Sequence, residues 1–287
     1  SEGWREYEWR WRLAASPPRR LPAPAWQGEA GEGRTLLLHA EQGLGDTLQF
    51  IRYLPLAAAR GFRVVAEVQE PLVRLVAASF PEAAVIPRDT AALPPFDLHA
   101  PLMSLPALFN TTLETVPAAI PYLRPPADMA ARPVPGNGLR IGISWGGDPR
   151  HNNDSRRSIP LKRLLPALNG ADVSLFSLQK GPKADELAGV EGVTDLGAGF
   201  DDLADTAAAL AGLDLVISVD TAIAHLAGAL GRPVWILLPF APDWRWLLGV
   251  EASPWYPTAR LFRQPAPGAW DAVLSQLSAS LSTLPRP

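Results

Sequence analysis

Short apolar runs alternate with longer segments of helical periodicity along most of the chain. Apolar runs typical of buried strands are predicted at 34–40, 62–68, 84–86, 96–102, 139–145, 173–178, 193–196, 215–219 and 234–238. Segments with apolar residues three and four positions apart, typical of helices, are predicted at 47–60, 71–78, 160–168, 203–213, 222–230 and 270–281. This alternation of strands and helices predicts an α/β protein in which helices cover both faces of parallel sheets.

A proline-rich stretch divides the pattern into two halves. Residues 124–138 contain four prolines and two glycines and have no apolar periodicity, so they are predicted to form an interdomain linker. The chain of 287 residues also exceeds the usual size of one core, roughly 100 to 200 residues. We predict two Rossmann-like domains, residues 1–123 and 139–287, facing each other across a cleft. Ligands are expected at the carboxyl ends of the strands.

The first residues carry a separate helical signal. Tyr7 and Trp11 follow Trp4 by three and seven positions, which places the three aromatic residues on one face of a helix over residues 4–13. A segment with one aromatic face is expected to dock on the rest of the protein.

Composition excludes several classes of protein. Hydrophobic residues make up 47% of the chain, but no uncharged apolar run reaches the length of about 18 residues that a membrane span needs. The net charge is −3 and the basic residues are scattered, which argues against a nucleic-acid-binding surface. The chain has no cysteine and therefore no disulfide or thiolate site, and it shows no signal-peptide pattern. A cytoplasmic location is expected.

Residues 39–47, with the sequence HAEQGLGDT, lie between a predicted strand and a predicted helix. Their two glycines allow a ligand to approach the backbone closely. Glu41 and Asp46 place carboxylates at the carboxyl end of the strand, where a general base is useful. Asp46 also begins a pattern of capping-box form, so a structural cap and a catalytic base are equally supported. The other candidate residues of this loop are Gln42, Gly43, Gly45 and Thr47.

Residues 218–225, with the sequence SVDTAIAH, join an apolar strand to an alanine-rich helix. Free N–H groups and the helix dipole favour a phosphate group at such a helix start. The Thr221 hydroxyl and His225, one turn later, are predicted to face this end of the helix. A capping role explains Asp220 equally well, and a lone histidine on a helix is more often a core residue than a ligand.

Two further loops carry basic residues. In residues 145–158 Arg156 and Arg157 are candidates to clamp a pyrophosphate, since guanidinium geometry suits phosphate oxygens, although a solvated loop is equally plausible. Lys180, at the end of another predicted strand, is either a phosphate contact or a surface lysine. The aromatic loop 239–246 is predicted to serve packing more than stacking on a base.

Some motifs are missing from the sequence. It contains no Asp-x-Asp pair, and its four histidines are too dispersed for a zinc motif. It also lacks the Gly-x-Gly-x-x-Gly fingerprint and the P-loop, which places nicotinamide-dependent oxidoreductase last among the functional classes. Among enzyme hypotheses, transfer without a metal or other cofactor is favoured.

The chain resembles the bacterial glycosyltransferases related to the ADP-heptose:lipopolysaccharide heptosyltransferases, in the branch attached to tetratricopeptide repeats. The stretches that carry the resemblance are 39–55, 158–161, 177–181, 218–230 and 237–246. Residues 4–13 also resemble the segment that follows the repeat array in such proteins, so tetratricopeptide repeats are expected to precede this domain in a longer protein.

The resemblance implies a GT-B fold and a metal-independent, inverting glycosyltransferase, with residues 39–47 on the acceptor side. It implies that Asp46 is the general base and that Arg157 contacts the donor phosphates. Glu41 is our alternative candidate for the base. Alanine at position 222, where the family usually has glycine, leaves the donor nucleotide and sugar open. The donor-binding residues predicted in the second domain are Trp145, Gly146, Arg156, Arg157, Gln179, Lys180, Asp220, Thr221, Ala222 and His225.

The partners that the resemblance implies are a nucleotide-sugar and an acceptor. The repeat-associated branch suggests a protein acceptor such as an appendage subunit, and a glycan or lipid acceptor is the alternative. A non-catalytic nucleotide-sugar-binding or scaffold domain is retained as the second functional hypothesis.

Overall fold

The computed structural model describes residues 2–13, 18–88, 90–129, 136–170 and 172–284. The chain divides into two compact units, Ser1–Pro117 and Ala118–Pro287. The predicted first domain ended at residue 123. In the structure, residues 118–123 lie with the second unit, where the N–H groups of Tyr122 and Leu123 donate to the Ala229 carbonyl oxygen (3.0 and 3.3 Å). Residues 130–135 of the predicted linker lie outside the described residues.

The first unit is built on a four-stranded parallel sheet with the order β3-β2-β1-β4. Its strands are β1 (Thr35–His39), β2 (Arg63–Val68), β3 (Ala84–Pro87) and β4 (Leu98–Pro101). Its α-helices are α1 (Glu2–Tyr7), α2 (Leu44–Phe50), α3 (Leu54–Ala59), α4 (Val73–Ser79) and α5 (Leu105–Leu108). Three consecutive leucines of β1 are fully buried, as expected for a strand whose two faces are both covered: Leu36, Leu37 and Leu38.

The second unit is built on a six-stranded parallel sheet with the order β10-β9-β8-β5-β6-β7. Its strands are β5 (Leu139–Ser144), β6 (Val173–Ser177), β7 (Val193–Asp195), β8 (Leu215–Val219), β9 (Val234–Leu238) and β10 (Ala259–Arg263). Its α-helices are α6 (Asp154–Arg157), α7 (Leu161–Leu164), α8 (Leu203–Leu210), α9 (Ala222–Ala229) and α10 (Trp270–Ser282). One face of the sheet packs with α10 in a core that includes Trp145, Ile217 and Leu277.

Short 3-10 helices connect many of these elements. They span Glu8–Arg12, Ile51–Tyr53, Glu70–Leu72, Leu102–Ser104, Leu165–Leu168, Pro182–Leu187, Gly197–Gly199 and Trp244–Trp246. The helix predicted over 47–60 is therefore α2, a 3-10 turn and α3 in succession. Pro55 opens α3, at a position where its missing N–H costs no helical hydrogen bond.

The predicted α/β class with parallel sheets is confirmed. The apolar runs at 215–219 and 234–238 form β8 and β9 at the predicted positions. Strand β10 was not predicted, because two arginines interrupt its five residues. None of the described helices combines the length and apolarity needed to span a membrane.

Candidate functional site

In the second unit, the start of α9 is an open helix N-terminus at the carboxyl end of β8. Thr221 is the N-cap residue, and its side chain makes no capping hydrogen bond to the first turn. The Thr221 hydroxyl instead lies 3.0 Å from the Ser218 hydroxyl oxygen. The first N–H groups of a helix point along its axis toward the N-terminus, so those of Ala222 and Ile223 are available to an anion. The sequence offered Asp220 as a possible cap, and the structure corrects this because the cap position is Thr221.

Arg157 joins the loop after β5 to this helix start. Its Nη1 donates to the Asp220 carbonyl oxygen at 2.9 Å, and its Nε lies 3.7 Å from Asp154 Oδ1. A β-carbon at position 147 would lie 2.5 Å from Arg157 Nη2, so the glycine there allows the guanidinium its place. The structure thus brings Arg157, Asp220 and Thr221 together. We call Arg157, Asp220, Thr221, Ala222 and Ile223 the helix-start site.

His225 lies behind the helix-start site in a buried polar cluster. Its Nδ1 is 2.8 Å from the Tyr256 hydroxyl oxygen, its Nε2 is 3.5 Å from Arg245 Nη1, and its ring stacks on Trp246. The side chain is only 3% exposed, so it does not present a surface to a ligand. The structure therefore favours the core interpretation of this histidine over direct contact.

Asp220 links this cluster to the helix-start site. Its Oδ1 lies 3.9 Å from His225 Nε2. Burial raises the pKa of the Asp220 carboxyl above its ordinary value, while the positive charges of Arg245 and Arg157 oppose the shift. Arg245 is itself held by Asp243, whose Oδ1 accepts from Nε at 2.7 Å. The basic groups around Asp220 are thus fixed in place before any ligand binds.

Three of the predicted donor-binding residues form a buried brace beneath the loop after β5. The side-chain oxygen of Gln179 accepts from the N–H groups of Trp145 (3.1 Å) and Gly146 (3.0 Å). Its side-chain nitrogen donates to the carbonyl oxygens of Gly146 and Lys180, both at 2.9 Å. Trp145 is fully buried in the core. These residues therefore shape the loop, since their polar groups, apart from the Trp145 indole N–H, are already engaged.

The two remaining predicted basic residues do not join the helix-start site in the same way. Arg156 is exposed on α6 next to Arg157. Lys180 is exposed and its Nζ donates to the Phe200 carbonyl oxygen at 2.7 Å. Of the two adjacent arginines predicted as a pyrophosphate clamp, Arg157 contacts the helix-start site and Arg156 is exposed to solvent.

In the first unit, Glu41 is held immediately after β1. Its side chain is 8% exposed. Glu41 Oε1 accepts from Arg10 Nη2 (3.1 Å) and from the Met103 N–H (3.1 Å), at the carboxyl end of the adjacent strand β4. Burial raises the pKa of the Glu41 carboxyl to about 7, with the charge of Arg10 opposing the shift. A carboxyl with this pKa can exchange a proton near neutral pH.

Asp46 occupies the third position of α2, not its cap. The cap residue is Gly43, and the Asp46 Oδ2 accepts from the Gly43 N–H at 2.9 Å. This bond ties the glycine turn to the helix, since a carboxylate at this position satisfies a free donor and suits the helix dipole. Asp46 is half-buried, so a cap-like role and contact with a substrate are compatible.

Gln69, at the end of β2, braces the other side of the same loop. Its side-chain nitrogen donates to the Gln42 carbonyl oxygen (2.8 Å), and its side-chain oxygen accepts from the Thr47 hydroxyl (2.9 Å). Gly43 is exposed and Gly45 is half-buried. The ends of three parallel strands thus converge on residues 41–47, which we call the glycine loop.

Four residues that contact these groups were not predicted from the sequence: Arg10 and Gln69 bind the glycine loop, and Arg245 and Tyr256 enclose His225. Gln69 carried a usable signal, because it directly follows a predicted strand. Arg245 lies within the aromatic loop that was treated as packing. Arg10 and Tyr256 are distant in sequence from the groups that they bind, and no local pattern marks them. Within the described part of the chain, no three histidine, aspartate or glutamate side chains are grouped to hold a metal ion.

Residues 179–238 match the model of Glycosyltransferase family 9 (heptosyltransferase). The match includes β8, α9 and β9 and therefore most of the helix-start site. The two parallel α/β units and the likeness to solved heptosyltransferase structures establish a GT-B fold. The matched segment is similar to the heptosyltransferases and lies within the second unit.

Protein FlbA of Caulobacter vibrioides (strain ATCC 19089 / CIP 103742 / CB 15) is a curated relative of the chain. The two are 31% identical over 316 residues, which cover 98% of this chain and 52% of FlbA. The chain therefore spans about half the length of this relative.

Solved structures with the same fold include three glycosyltransferases. The family 9 glycosyl transferase from Veillonella parvula DSM 2008 has a TM-score of 0.63 at 11% identity, covering 91% of this chain and 92% of that one. The iron-containing heptosyltransferase TibC with ADP-D-β-D-heptose has a TM-score of 0.58 at 14% identity, covering 85% and 66%. The E. coli heptosyltransferase WaaC with ADP-2-deoxy-2-fluoro heptose has a TM-score of 0.52 at 16% identity, covering 86% and 98%. At these identities the likeness establishes the fold.

Proposed function

We propose that the protein transfers a sugar from a nucleotide-sugar to an acceptor hydroxyl, with inversion at the anomeric carbon and without a metal ion. The observation that carries the proposal is the uncapped start of α9, with the guanidinium of Arg157 beside it. This helix start lies inside the segment that matches family 9, and Arg157 precedes that segment.

The helix-start site is proposed to hold the donor phosphates. The N–H groups of the first turn and the positive end of the helix dipole suit a phosphate oxygen, and Arg157 adds a charge-assisted donor. When the bond between the anomeric carbon and the phosphate oxygen breaks, the electron pair leaves with the nucleoside diphosphate. Donors already in position stabilise that charge without rearrangement, and this lowers the barrier.

A carboxylate of the glycine loop is proposed to accept the proton of the acceptor hydroxyl. Asp46 and Glu41 are the two candidates. As the hydroxyl oxygen attacks the anomeric carbon from the side opposite the leaving group, its proton passes to the carboxylate. The reaction requires the carboxylate and the donor-binding residues to act on the same donor and acceptor. The carboxyl of Glu41, with a pKa of about 7, suits such an exchange near neutral pH.

The donor and acceptor are proposed by class. The structural relatives TibC and WaaC were captured with ADP-linked heptoses, so ADP-sugars come first among the donors to test. A protein acceptor, such as an appendage subunit modified on serine or threonine, is the working hypothesis, with glycans and lipid-linked sugars as alternatives. We further propose a cytoplasmic location and preceding tetratricopeptide repeats in the full-length protein.

The first experiment is a thermal-shift titration of the protein with nucleoside diphosphates, CMP and nucleotide-sugars. A ligand that binds only the native state at 100 times its Kd raises the stability by about 2.7 kcal/mol. We expect a shift with one nucleotide and its sugar conjugates. If the folded protein responds to none of them, the proposed donor site is contradicted.

The second experiment measures release of nucleoside diphosphate from the sugar donor that binds, with protein, saccharide and water as acceptors. We expect turnover in the presence of EDTA. Asp46→Asn and Glu41→Gln identify the base, because the substitution at the base should reduce turnover by about 100- to 10,000-fold. Donor binding without turnover under any acceptor would identify a non-catalytic nucleotide-sugar-binding or scaffold domain instead.

A further inference from the structure

The aromatic loop 239–246 leaves β9 at the edge of the second sheet that carries the helix-start site. Strand β9 pairs in parallel with β8, with Leu237 beside Val219, so the loop and the start of α9 leave the sheet side by side. On the other side of β8 lies β5, and the loop after β5 leads to Arg157. The helix-start site therefore has Arg157 on one flank and the aromatic loop on the other.

Two buried side chains tie the aromatic loop to α9. The Trp246 ring stacks on His225 with 5.2 Å between the ring centroids, and Arg245 contacts the Nε2 atom of the same histidine. The charges of Arg245 and Asp243 also act on the Asp220 carboxyl, whose pKa they lower and raise respectively. Such influences need short distances, so this end of the loop lies next to the helix-start site.

The backbone of this loop is held in a strained conformation. Leu247 has a φ of 54°, in the left-handed region that is unfavourable for a leucine. Its N–H donates to the Trp244 carbonyl oxygen (3.1 Å), and the next turn is held by Arg263, whose Nη2 donates to the Trp246 carbonyl oxygen (3.1 Å). Strain that is maintained by surrounding bonds is typical of ligand-binding segments.

Asp243 and Trp244 are the residues of this turn that remain open to solvent. The Trp244 ring is 39% exposed, and the Arg245 guanidinium lies 5.4 Å from its centroid. The Asp243 side chain is 36% exposed, and its Oδ1 accepts from the N–H (3.1 Å) and Nε (2.7 Å) of Arg245. Among the described residues no hydrogen bond engages Asp243 Oδ2. An indole ring and a carboxylate oxygen are therefore both accessible beside the helix-start site.

This pair of groups has the chemistry of a sugar subsite. The C–H face of a sugar ring is apolar and packs well on an indole, while a carboxylate oxygen accepts hydrogen bonds from hydroxyl or amide N–H groups. A phosphate is disfavoured at the same place, because its charge repels the carboxylate. In a nucleotide-sugar the sugar is bonded directly to a phosphate, so it has to lie beside the groups that hold that phosphate.

We propose that Asp243 and Trp244 form the sugar subsite of the donor site. The Trp244 ring packs against a C–H face of the transferred sugar, and Asp243 Oδ2 accepts a hydrogen bond from one of its hydroxyl or acylamino groups. The inference rests on the proposed function, in which the helix-start site holds the phosphate. It leaves the opposite flank, on the side of β5 and Arg157, to the nucleoside.

The test compares a nucleotide with its sugar conjugate by isothermal titration calorimetry. The probes are ADP with ADP-heptose, UDP with UDP-N-acetylglucosamine, and CMP with CMP-sialic acid, and the pair that binds the wild type is carried forward. Trp244→Ala should weaken the conjugate by about 3- to 10-fold, and Asp243→Asn by about 10-fold. The Kd of the nucleotide alone should change by less than about twofold in both variants, because the helix-start site is intact.

Two further variants control for the loss of an aromatic ring. Trp244→Phe keeps an aromatic face and should bind the conjugate close to the wild-type affinity. Trp9→Ala removes a tryptophan that is 53% exposed and also lies under an arginine, since the Arg12 guanidinium is 3.8 Å from its centroid, but that belongs to the first unit. It should bind both probes as the wild type does.

The possible outcomes separate this inference from the proposed function. Equal weakening of nucleotide and conjugate in Trp244→Ala would place the nucleoside on this ring and overturn the inference. Unchanged binding of the conjugate in either Trp244→Ala or Asp243→Asn would also overturn it, and both results leave the donor site in place. If the folded wild-type protein binds none of the three pairs, the proposed function is contradicted together with the sugar subsite.

Discussion

Arg156 and Arg157 are adjacent in sequence but differ in their surroundings. Arg157 donates to the Asp220 carbonyl oxygen and is largely buried, whereas Arg156 is exposed. We predict that Arg157→Gln weakens binding of the nucleoside diphosphate by about 10- to 100-fold, because a charge-assisted hydrogen bond contributes about 1.5 to 3 kcal/mol. Isothermal titration calorimetry on the ligand found in the thermal-shift panel measures the change.

Arg156→Gln is the matched control for this prediction. It removes the same charge from the neighbouring position, so a general electrostatic effect would appear in both variants. We expect a change of less than about fivefold, since an exposed charge contributes at most about 1 kcal/mol. Equal losses in the two variants would instead support a clamp formed by both arginines.

Helices α8 and α9 both begin after strands of the second sheet, but their N-termini are built differently. Asp202 caps α8, since its Oδ1 accepts from the N–H groups of Ala204 (2.7 Å) and Asp205 (3.1 Å). Asp205 returns the contact by accepting from the Asp202 N–H at 3.4 Å. The first turn of α8 is therefore satisfied within the protein, whereas α9 has no side-chain cap.

The cap of α8 yields a stability prediction. Asp202→Ala should lower the free energy of unfolding by about 1 kcal/mol, within a range of about 0.5 to 2. Asp201→Ala removes an exposed carboxylate one position earlier and should change it by less than about 0.5 kcal/mol. Urea denaturation followed by circular dichroism measures both variants. A loss in Asp201→Ala as large as in Asp202→Ala would show that charge, and not capping, is responsible.

Elements with a strong apolar pattern were predictable, and those with a weak one were not. The uninterrupted apolar run of β8 predicted a buried strand, and the strand occupies the same five residues. The start of α2 was placed three residues late, since Asp46 looks like a cap in sequence. In the structure Gly43 takes that position and Asp46 bonds back to it. Strand β10 is stabilised by pairing with β9. Its own sequence is short and partly polar, so it does not predict this pairing.

The pH dependence of the protein's stability depends on groups buried in the first unit. Burial, with the charges of His99, Arg19 and Arg88, lowers the pKa of His39 from 6.5 to about 3. Between these two pH values the unfolded chain binds a proton at His39 that the folded protein excludes. The stability that His39 contributes is therefore complete above pH 6.5 and is lost as the pH falls. Glu41 acts in the opposite sense. Its raised pKa stabilises the folded state below pH 4.5, and this stabilisation is lost as the pH rises to about 7.

We predict that His39→Asn loses less stability than the wild type on acidification. From pH 6.5 to 5 the wild type should lose about 2 kcal/mol through His39, at 1.36 kcal/mol per pH unit, and the variant should lack this contribution. Urea denaturation at several pH values gives the two curves. His151→Asn, at an exposed loop position, is the control and should keep the wild-type slope. Parallel curves for His39→Asn and the wild type would contradict the exclusion of a proton from His39.

The order of apolar and periodic segments was enough to predict the α/β class, the parallel sheets, the division into two parts and the loops that carry Glu41, Asp46, Arg157 and Thr221. Those features follow from local chemistry, because the burial of a strand and the start of a helix depend on residues that are adjacent in sequence. The partners of those residues were decided by the tertiary structure. Arg10 reaches Glu41 from 31 positions away, and His225 is enclosed by Tyr256 from 31 positions in the other direction. Burial and pairing over such separations arise only when the strands assemble, and they determine which polar groups form the core and which remain open to a ligand.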